Sequence, residues 1–147
     1  MILIDTTPLV ALCDSRDEYH GRAVEHLKAL VAPKGRQSGR RDEARFATCD
    51  GVITEACFHL PHAVQRRRLQ ALLDELRVVV LPDQPDAAFR DQIFDWLVKY
   101  GEHEPDWADG CLAVLSGRDP AARLWTYDRE FRTTWRRPDG SRIPLAV

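Results

Sequence analysis

The apolar positions of this chain alternate between short continuous runs and stripes of helical period. Ile2 to Ile4 is a short apolar run that stops at Asp5, which predicts a buried parallel strand with an acid at its C-terminal tip. Thr6-Thr7-Pro8 opens a short helix, with Thr7 as the expected N-cap and Pro8 at the first helical position. Asp17 to Val31 reads as an amphipathic helix whose stripe is Ala23, Val24, Leu27, Leu30 and Val31. The stretch from Lys34 to Glu43 is polar, basic and contains Gly, hence a loop, and Arg45 to Cys49 is a candidate strand. Two helices follow, Val52 to Leu60 and Ala63 to Leu76, the second striped by Val64, Leu69, Leu72, Leu73 and Leu76. Arg77 to Leu81 holds three valines and reads as a strand. Asp86 to Tyr100 is helical, with Phe89, Ile93, Trp96 and Leu97 facing inward. Asp106 to Gly117 is a helix that is apolar on all sides from Cys111 to Leu115, so it packs deep against a sheet. Arg123 to Thr126 is a strand, Asp128 to Arg132 a helical turn, and Ile143 to Val147 an edge strand after the Asp139-Gly140 turn.

Strands that alternate with helices predict an α/β fold with a mainly parallel central sheet, and ligands of such sheets sit beyond the carboxyl ends of the strands. At 147 residues with 44% hydrophobic content, the chain fits one domain, 1–147, with a real core. Nothing resembles a signal peptide or a membrane span. Cys13, Cys49, Cys57 and Cys111 show no CxxC spacing and read as small buried hydrophobes of a reducing, cytoplasmic protein.

The net charge of −2 gives no nucleic-acid signal by itself. The distribution says more. Basic residues gather at Lys34 to Arg45, at Arg66-Arg67-Arg68, and at Arg129, Arg132, Arg136, Arg137 and Arg142. Flanking one acidic pocket, these groups would form a phosphate-tracking rim.

That pocket is expected from five acids. Asp5 and Asp128 sit at or just past the ends of predicted strands, and Glu55, Asp106 and Asp109 in the first turns of helices running back from the same edge. Each has an ordinary role available, as a turn residue or a helix cap. Converging, they would repel one another unless a divalent cation neutralised them, and carboxylates suit Mg²⁺ or Mn²⁺. No Cys or His accompanies them at ligand spacing, so zinc is not expected. Thr6 and Thr126 are placed to orient the ligands as hydroxyl donors. His59 and His62 are separated by the helix-breaking Pro61 and are not expected to pair on a metal. His20, His26 and His103 read as surface residues, and Trp107 as a packing residue.

Four segments together resemble a known family: Ile-Asp-Thr-Thr-Pro-Leu-Val from Ile4, Val-Ile-Thr-Glu-Ala-Cys-Phe-His-Leu from Val52, Asp-Trp-Ala-Asp-Gly-Cys-Leu-Ala-Val-Leu from Asp106, and Thr-Tyr-Asp-Arg-Glu-Phe from Thr126. In order and spacing they are similar to the four motifs of PIN-domain ribonucleases, above all the VapC-type toxins of toxin–antitoxin modules. The resemblance implies a three-layer α/β/α PIN-like domain. It puts the family's acids on Asp5, Glu55, Asp109 and Asp128, with Asp106 as an additional one. Gly110 departs from the small residue, such as Ala, usual there.

The resemblance further implies a Mg²⁺- or Mn²⁺-dependent endoribonuclease, its ion held by Asp5, Asp109, Glu55 and Asp106. It also implies an RNA substrate, homodimerisation, and a cognate antitoxin whose C-terminal segment fills the acidic cleft. The alternatives on the same fold are a non-toxin nuclease of RNA processing and a catalytically silent RNA-binding module. A phosphatase with a strand-end Asp nucleophile ranks last, because the second Asp it needs is replaced by Thr7.

Overall fold

The computed structural model describes residues 1–32 and 46–147. The loop and basic group expected over 34–45, with the first residue of the strand expected there, lie outside the described residues. Strand β1 spans Ile2–Ile4, β2 Phe46–Thr48, β3 Val79–Val80 and β4 Arg123–Trp125. They pair in parallel throughout, in the order β3-β2-β1-β4. Ile2 stands opposite both Phe46 and Arg123, and Ile4 opposite Trp125. Asp5, Cys49 and Thr126, each one residue past its strand, therefore lie along one edge.

Successive strand residues point to opposite faces of a sheet. Leu3, Ile4, Leu124 and Trp125 are all 0% exposed, so helices cover both faces and the arrangement is the expected three-layer α/β/α. The helices are α1 (Thr6–Cys13), α2 (His20–Val31), α3 (Asp50–His59), α4 (Ala63–Glu75), α5 (Ala87–Lys99), α6 (Trp107–Arg118) and α7 (Glu130–Thr133), with a 3₁₀ turn at Gly101–His103 before α6. Helix α1 packs on α2, α3 and α4, while α6 packs on α5 and α3. As its sequence predicts, α6 is buried on every side from Gly110 to Ser116. Among the described residues no helix is long and apolar enough to cross a membrane.

Two glycines set how closely the helices approach. A Cβ on Gly51, at the start of α3, would stand 3.0 Å from Trp107 Cδ1 and 3.3 Å from the Cα of Ala108, at the start of α6. A Cβ on Gly110 would stand 2.9 Å from Ile93 Cγ2 of α5. Glycine at position 110 is thus a packing requirement of the α5–α6 contact beside Asp109.

Several local expectations are corrected. The cap of α1 is Asp5 and not Thr7, because the helix starts directly at the strand end and the Thr6 amide donates to Asp5 Oδ1 at 2.7 Å. Helix α2 begins at His20, since Asp17 instead closes a turn by accepting from the Tyr19 amide at 2.8 Å. Val31 and Val64 are 51% and 64% exposed, lying at helix ends beyond the core. The inward position on α4 is taken by Gln65, which donates to Asp14 Oδ2 at 2.8 Å. Residues 143–147 form only a single parallel bridge, Leu124 to Leu145, where a full edge strand is expected. Cys13, Cys49 and Cys111 are buried free thiols, and Cys57 is half-buried.

The C-terminal segment is tied down by polar bonds in an apolar setting. Arg137 is 9% exposed and donates to Ser116 Oγ and to the carbonyls of Pro120 and Ala122. Trp96 Nε1 donates to the Arg136 carbonyl at 2.8 Å, whereas the buried Trp135 Nε1 has no partner among the described residues. The two tryptophans touch edge-to-face at 5.8 Å. Trp96→Phe loses a hydrogen bond and strands a carbonyl, and is expected to destabilise by about 2–3 kcal/mol. Trp135→Phe removes an unpaired donor together with some volume, and is expected to cost about 1 kcal/mol or less. Urea unfolding of the two variants checks the order, and equal losses would show that the hydrogen bond carries no weight.

Candidate active site

The carboxyl edge of the sheet is built outward from Asp5. This side chain is 5% exposed and uses both oxygens. Oδ1 accepts from the Thr6 amide, while Oδ2 accepts from Thr126 Oγ1 at 2.6 Å and Thr7 Oγ1 at 3.1 Å. Burial pushes its pKa up to about 6 against those hydrogen bonds, and the Glu55 carboxylate adds to the rise. Thr6 Oγ1 donates to Glu55 Oε2 at 2.6 Å, which links α1 to the first turns of α3. Thr126 Oγ1, besides donating to Asp5, accepts from the Asp128 amide at 2.9 Å, which folds the β4 exit back toward Asp5. Asp128 Oδ1 in turn accepts from the Glu130 amide and starts α7.

The third group comes from α6. Asp106 is its N-cap, accepting from the Asp109 amide at 2.9 Å, and the Asp109 side chain accepts from the Asp106 amide at 3.0 Å. Asp109 is half-buried, and its pKa is raised to about 9 by burial first and then by the charge of Asp106, with Asp5 and Asp128 adding to the rise. Burial disfavours the charged form, and the neighbouring carboxylates disfavour it further. The structure therefore brings Asp5, Asp106 and Asp128 within electrostatic range of Asp109. Glu55 joins through Asp5 and Thr6.

The donor set is all carboxylate and hydroxyl oxygen, which suits a hard divalent cation. As placed, no three Asp, Glu, His or Cys residues among the described residues stand close enough to hold an ion. Asp5 accepts from three donors, Glu55 Oε2 accepts from Thr6, and Asp109 is folded into its cap. The acids share an edge and a field without forming a closed cage.

No protein-family model and no characterised protein sequence matches this chain. Among solved structures it superposes on Mycobacterium tuberculosis VapC20, a sarcin-ricin loop cleaving toxin, with a TM-score of 0.68. The match covers 90% of this chain and 93% of that one at 21% identity. The chain has the VapC fold.

Within the VapC fold, several groups stand where the sequence does not announce them. His59 Nε2 lies 3.6 Å from Glu55 Oε1, one helical turn on. The i, i+4 spacing was the available signal, obscured by the pairing with His62 across Pro61. His26 and His20 are only part-exposed. His26 Nδ1 is 3.1 Å from the Tyr127 hydroxyl, and His20 Nδ1 is 2.7 Å from the Ala11 carbonyl. Trp107 is 38% exposed, meets Phe94 edge-to-face at 5.2 Å, and closes over the start of α3.

Among the described residues, Arg66, Arg68, Arg132, Arg136 and Arg137 of the basic groups donate to backbone carbonyls, which a guanidinium near a helix end or chain turn finds unpaired.

Proposed function

We propose that this chain is a metal-dependent endoribonuclease that hydrolyses RNA phosphodiester bonds and acts as the toxin of a toxin–antitoxin pair. The observation that carries the reading is the grouping of Asp5, Asp106, Asp109 and Asp128 at the carboxyl edge of a parallel sheet, in a fold shared with an RNA-cleaving toxin. Asp5, Asp109, Glu55 and Asp106 would hold Mg²⁺ or Mn²⁺, and the ion would supply an activated water and charge stabilisation for the attacked phosphate. The remaining roles belong to the chain. Thr126 and Thr6 fix the rotamers of Asp5 and Glu55 by short hydroxyl donation. Asp128, tied to the same Thr126, forms the opposite wall of the cleft. With its pKa near 6, Asp5 is mainly ionised at neutral pH and available as a ligand.

A homodimer and a partner protein whose basic side chain enters the acidic cleft belong to the same reading. Cleavage of RNA by the purified protein in Mg²⁺, Mn²⁺ and EDTA tests it. The expected result is cleavage only with a divalent ion, leaving 5′-phosphate and 3′-hydroxyl ends, since attack by water needs no 2′-hydroxyl. Products ending in 2′,3′-cyclic phosphate would overturn the mechanism. Growth arrest on induction, relieved by a neighbouring gene product, tests the toxin role separately.

A further inference from the structure

Tyr127 joins the two site residues Thr126 and Asp128, and its amide donates to Thr7 Oγ1 at 3.0 Å, itself bonded to Asp5. Its ring carries a cluster supplied by the start of α2. Tyr19 stacks on it at 4.9 Å with the planes 17° apart, His26 approaches at 5.8 Å, and the Arg22 guanidinium lies 5.3 Å from its centroid. Arg22 is exposed and, among the described residues, makes no ion pair and no hydrogen bond to protein. Stacking orients its plane and leaves its N–H donors uncommitted.

Nothing in α2 itself asks for a cation there. Arg22 lies in the first turn of the helix, where the dipole favours carboxylates. Its neighbour Gly21 would have no atom within 4 Å of an added Cβ, so glycine at 21 relieves no crowding and leaves the surface beside Arg22 open. A glycine inside a helix costs about 1 kcal/mol relative to Ala. An oriented free guanidinium, an open backbone beside it and an acidic edge one residue away together match a polyanion that must be drawn toward carboxylates that repel it.

We propose that Arg22, held on the Tyr127 ring, is an RNA-binding residue that grips a phosphate flanking the scissile one and seats the strand along the carboxylate edge. The proposal takes the ligand's identity from the ribonuclease reading above. It makes Arg22 a positioning residue, so its loss raises KM and leaves kcat within about twofold.

The test measures binding of a fluorescent single-stranded RNA by anisotropy, between 50 and 200 mM salt, in an Asp5→Asn background that holds cleavage off. Arg22→Ala, Arg22→Lys and, as an exposed cation elsewhere, Arg90→Ala are compared, and wild type and Arg22→Ala are assayed for cleavage in Mn²⁺. Arg22→Ala is expected to bind about tenfold more weakly and to lower the slope of log K against log salt by about 0.7, the value of one phosphate contact on a single strand. Arg22→Lys should recover the slope and only part of the affinity, and Arg90→Ala should change neither. If Arg22→Ala binds and cleaves like wild type, the inference is wrong and the nuclease reading stands. If wild type cleaves no RNA but binding still depends on Arg22, the nuclease reading fails and the phosphate site stands. If no RNA binds in any background, both fall.

Discussion

Asp5→Asn is expected to lower RNA cleavage by about a thousandfold or more, because it removes the charge at the centre of the carboxylate edge. The fold should survive. An amide side chain keeps an oxygen for the Thr6 amide that starts α1, and the Thr126 and Thr7 hydroxyls can turn from donating to accepting. Burial already penalises the ionised form of Asp5, so a neutral isostere adds no desolvation burden. Asp5→Ala would confound loss of activity with loss of a helix cap worth about 1 kcal/mol, which makes the amide the informative change. Cleavage rates in Mn²⁺, paired with a thermal melt of each protein, decide the matter. An Asp5→Asn protein that melts normally and cleaves like wild type would show that the site is misassigned.

The second large effect runs in opposite directions for stability and activity. Asp109→Asn is expected to abolish cleavage yet raise the melting temperature in EDTA at pH 8. The amide oxygen still accepts from the Asp106 amide, while there is no longer an ionised form for burial, and after it the charges of Asp106, Asp5 and Asp128, to oppose. The sign follows from linkage. A carboxyl whose folded pKa lies near 9, against 3.8 unfolded, holds its proton more tightly in the folded state. Its contribution to stability is complete below about 3.8 and is lost progressively as pH rises toward 9. Wild type and variant should therefore melt together near pH 4 and separate as pH rises. Allowing for solvent screening of a half-buried group, the gap is about 1–2 kcal/mol, or about 3–6 °C for a domain of this size. Added Mg²⁺ or Mn²⁺ should raise wild type and leave the variant nearly unmoved. A variant that melts below wild type at pH 8 in EDTA would mean that neither burial nor the neighbouring acids oppose the charged form of Asp109.

What the sequence discloses here is whatever is encoded locally. The apolar run before Asp5, the all-round apolar stretch of α6 and the Asp-x-x-Asp at its start each determine an element and the direction in which an acid leaves it. Parallel pairing then puts those acids on one edge. Contacts across the fold are less visible. Asp5 serves as the α1 cap because β1 and α1 abut without a linker, a matter of one residue's spacing. The basic groups look like a binding rim in sequence, but Arg66, Arg68 and Arg137 meet carbonyls that only the folded chain presents. Arg22 carries no signal at all, because the ring it rests on lies 105 positions away. Strand β3, only two residues long, is defined by its pairing with β2 more than by its valines.

Gly51 gives the site a mechanical character. The starts of α3 and α6, which carry Glu55 and Asp106 with Asp109, meet there closely, with the Trp107 side chain 3.0 Å and the Ala108 backbone 3.3 Å from where a methyl would sit. A contact made by side chains behaves as a spring, since rotamers absorb tenths of an ångström. A contact made by backbone behaves as a hard stop. The Ala108 backbone therefore limits how far a side chain at position 51 could grow before the two helix starts, and the carboxylates they carry, must move apart.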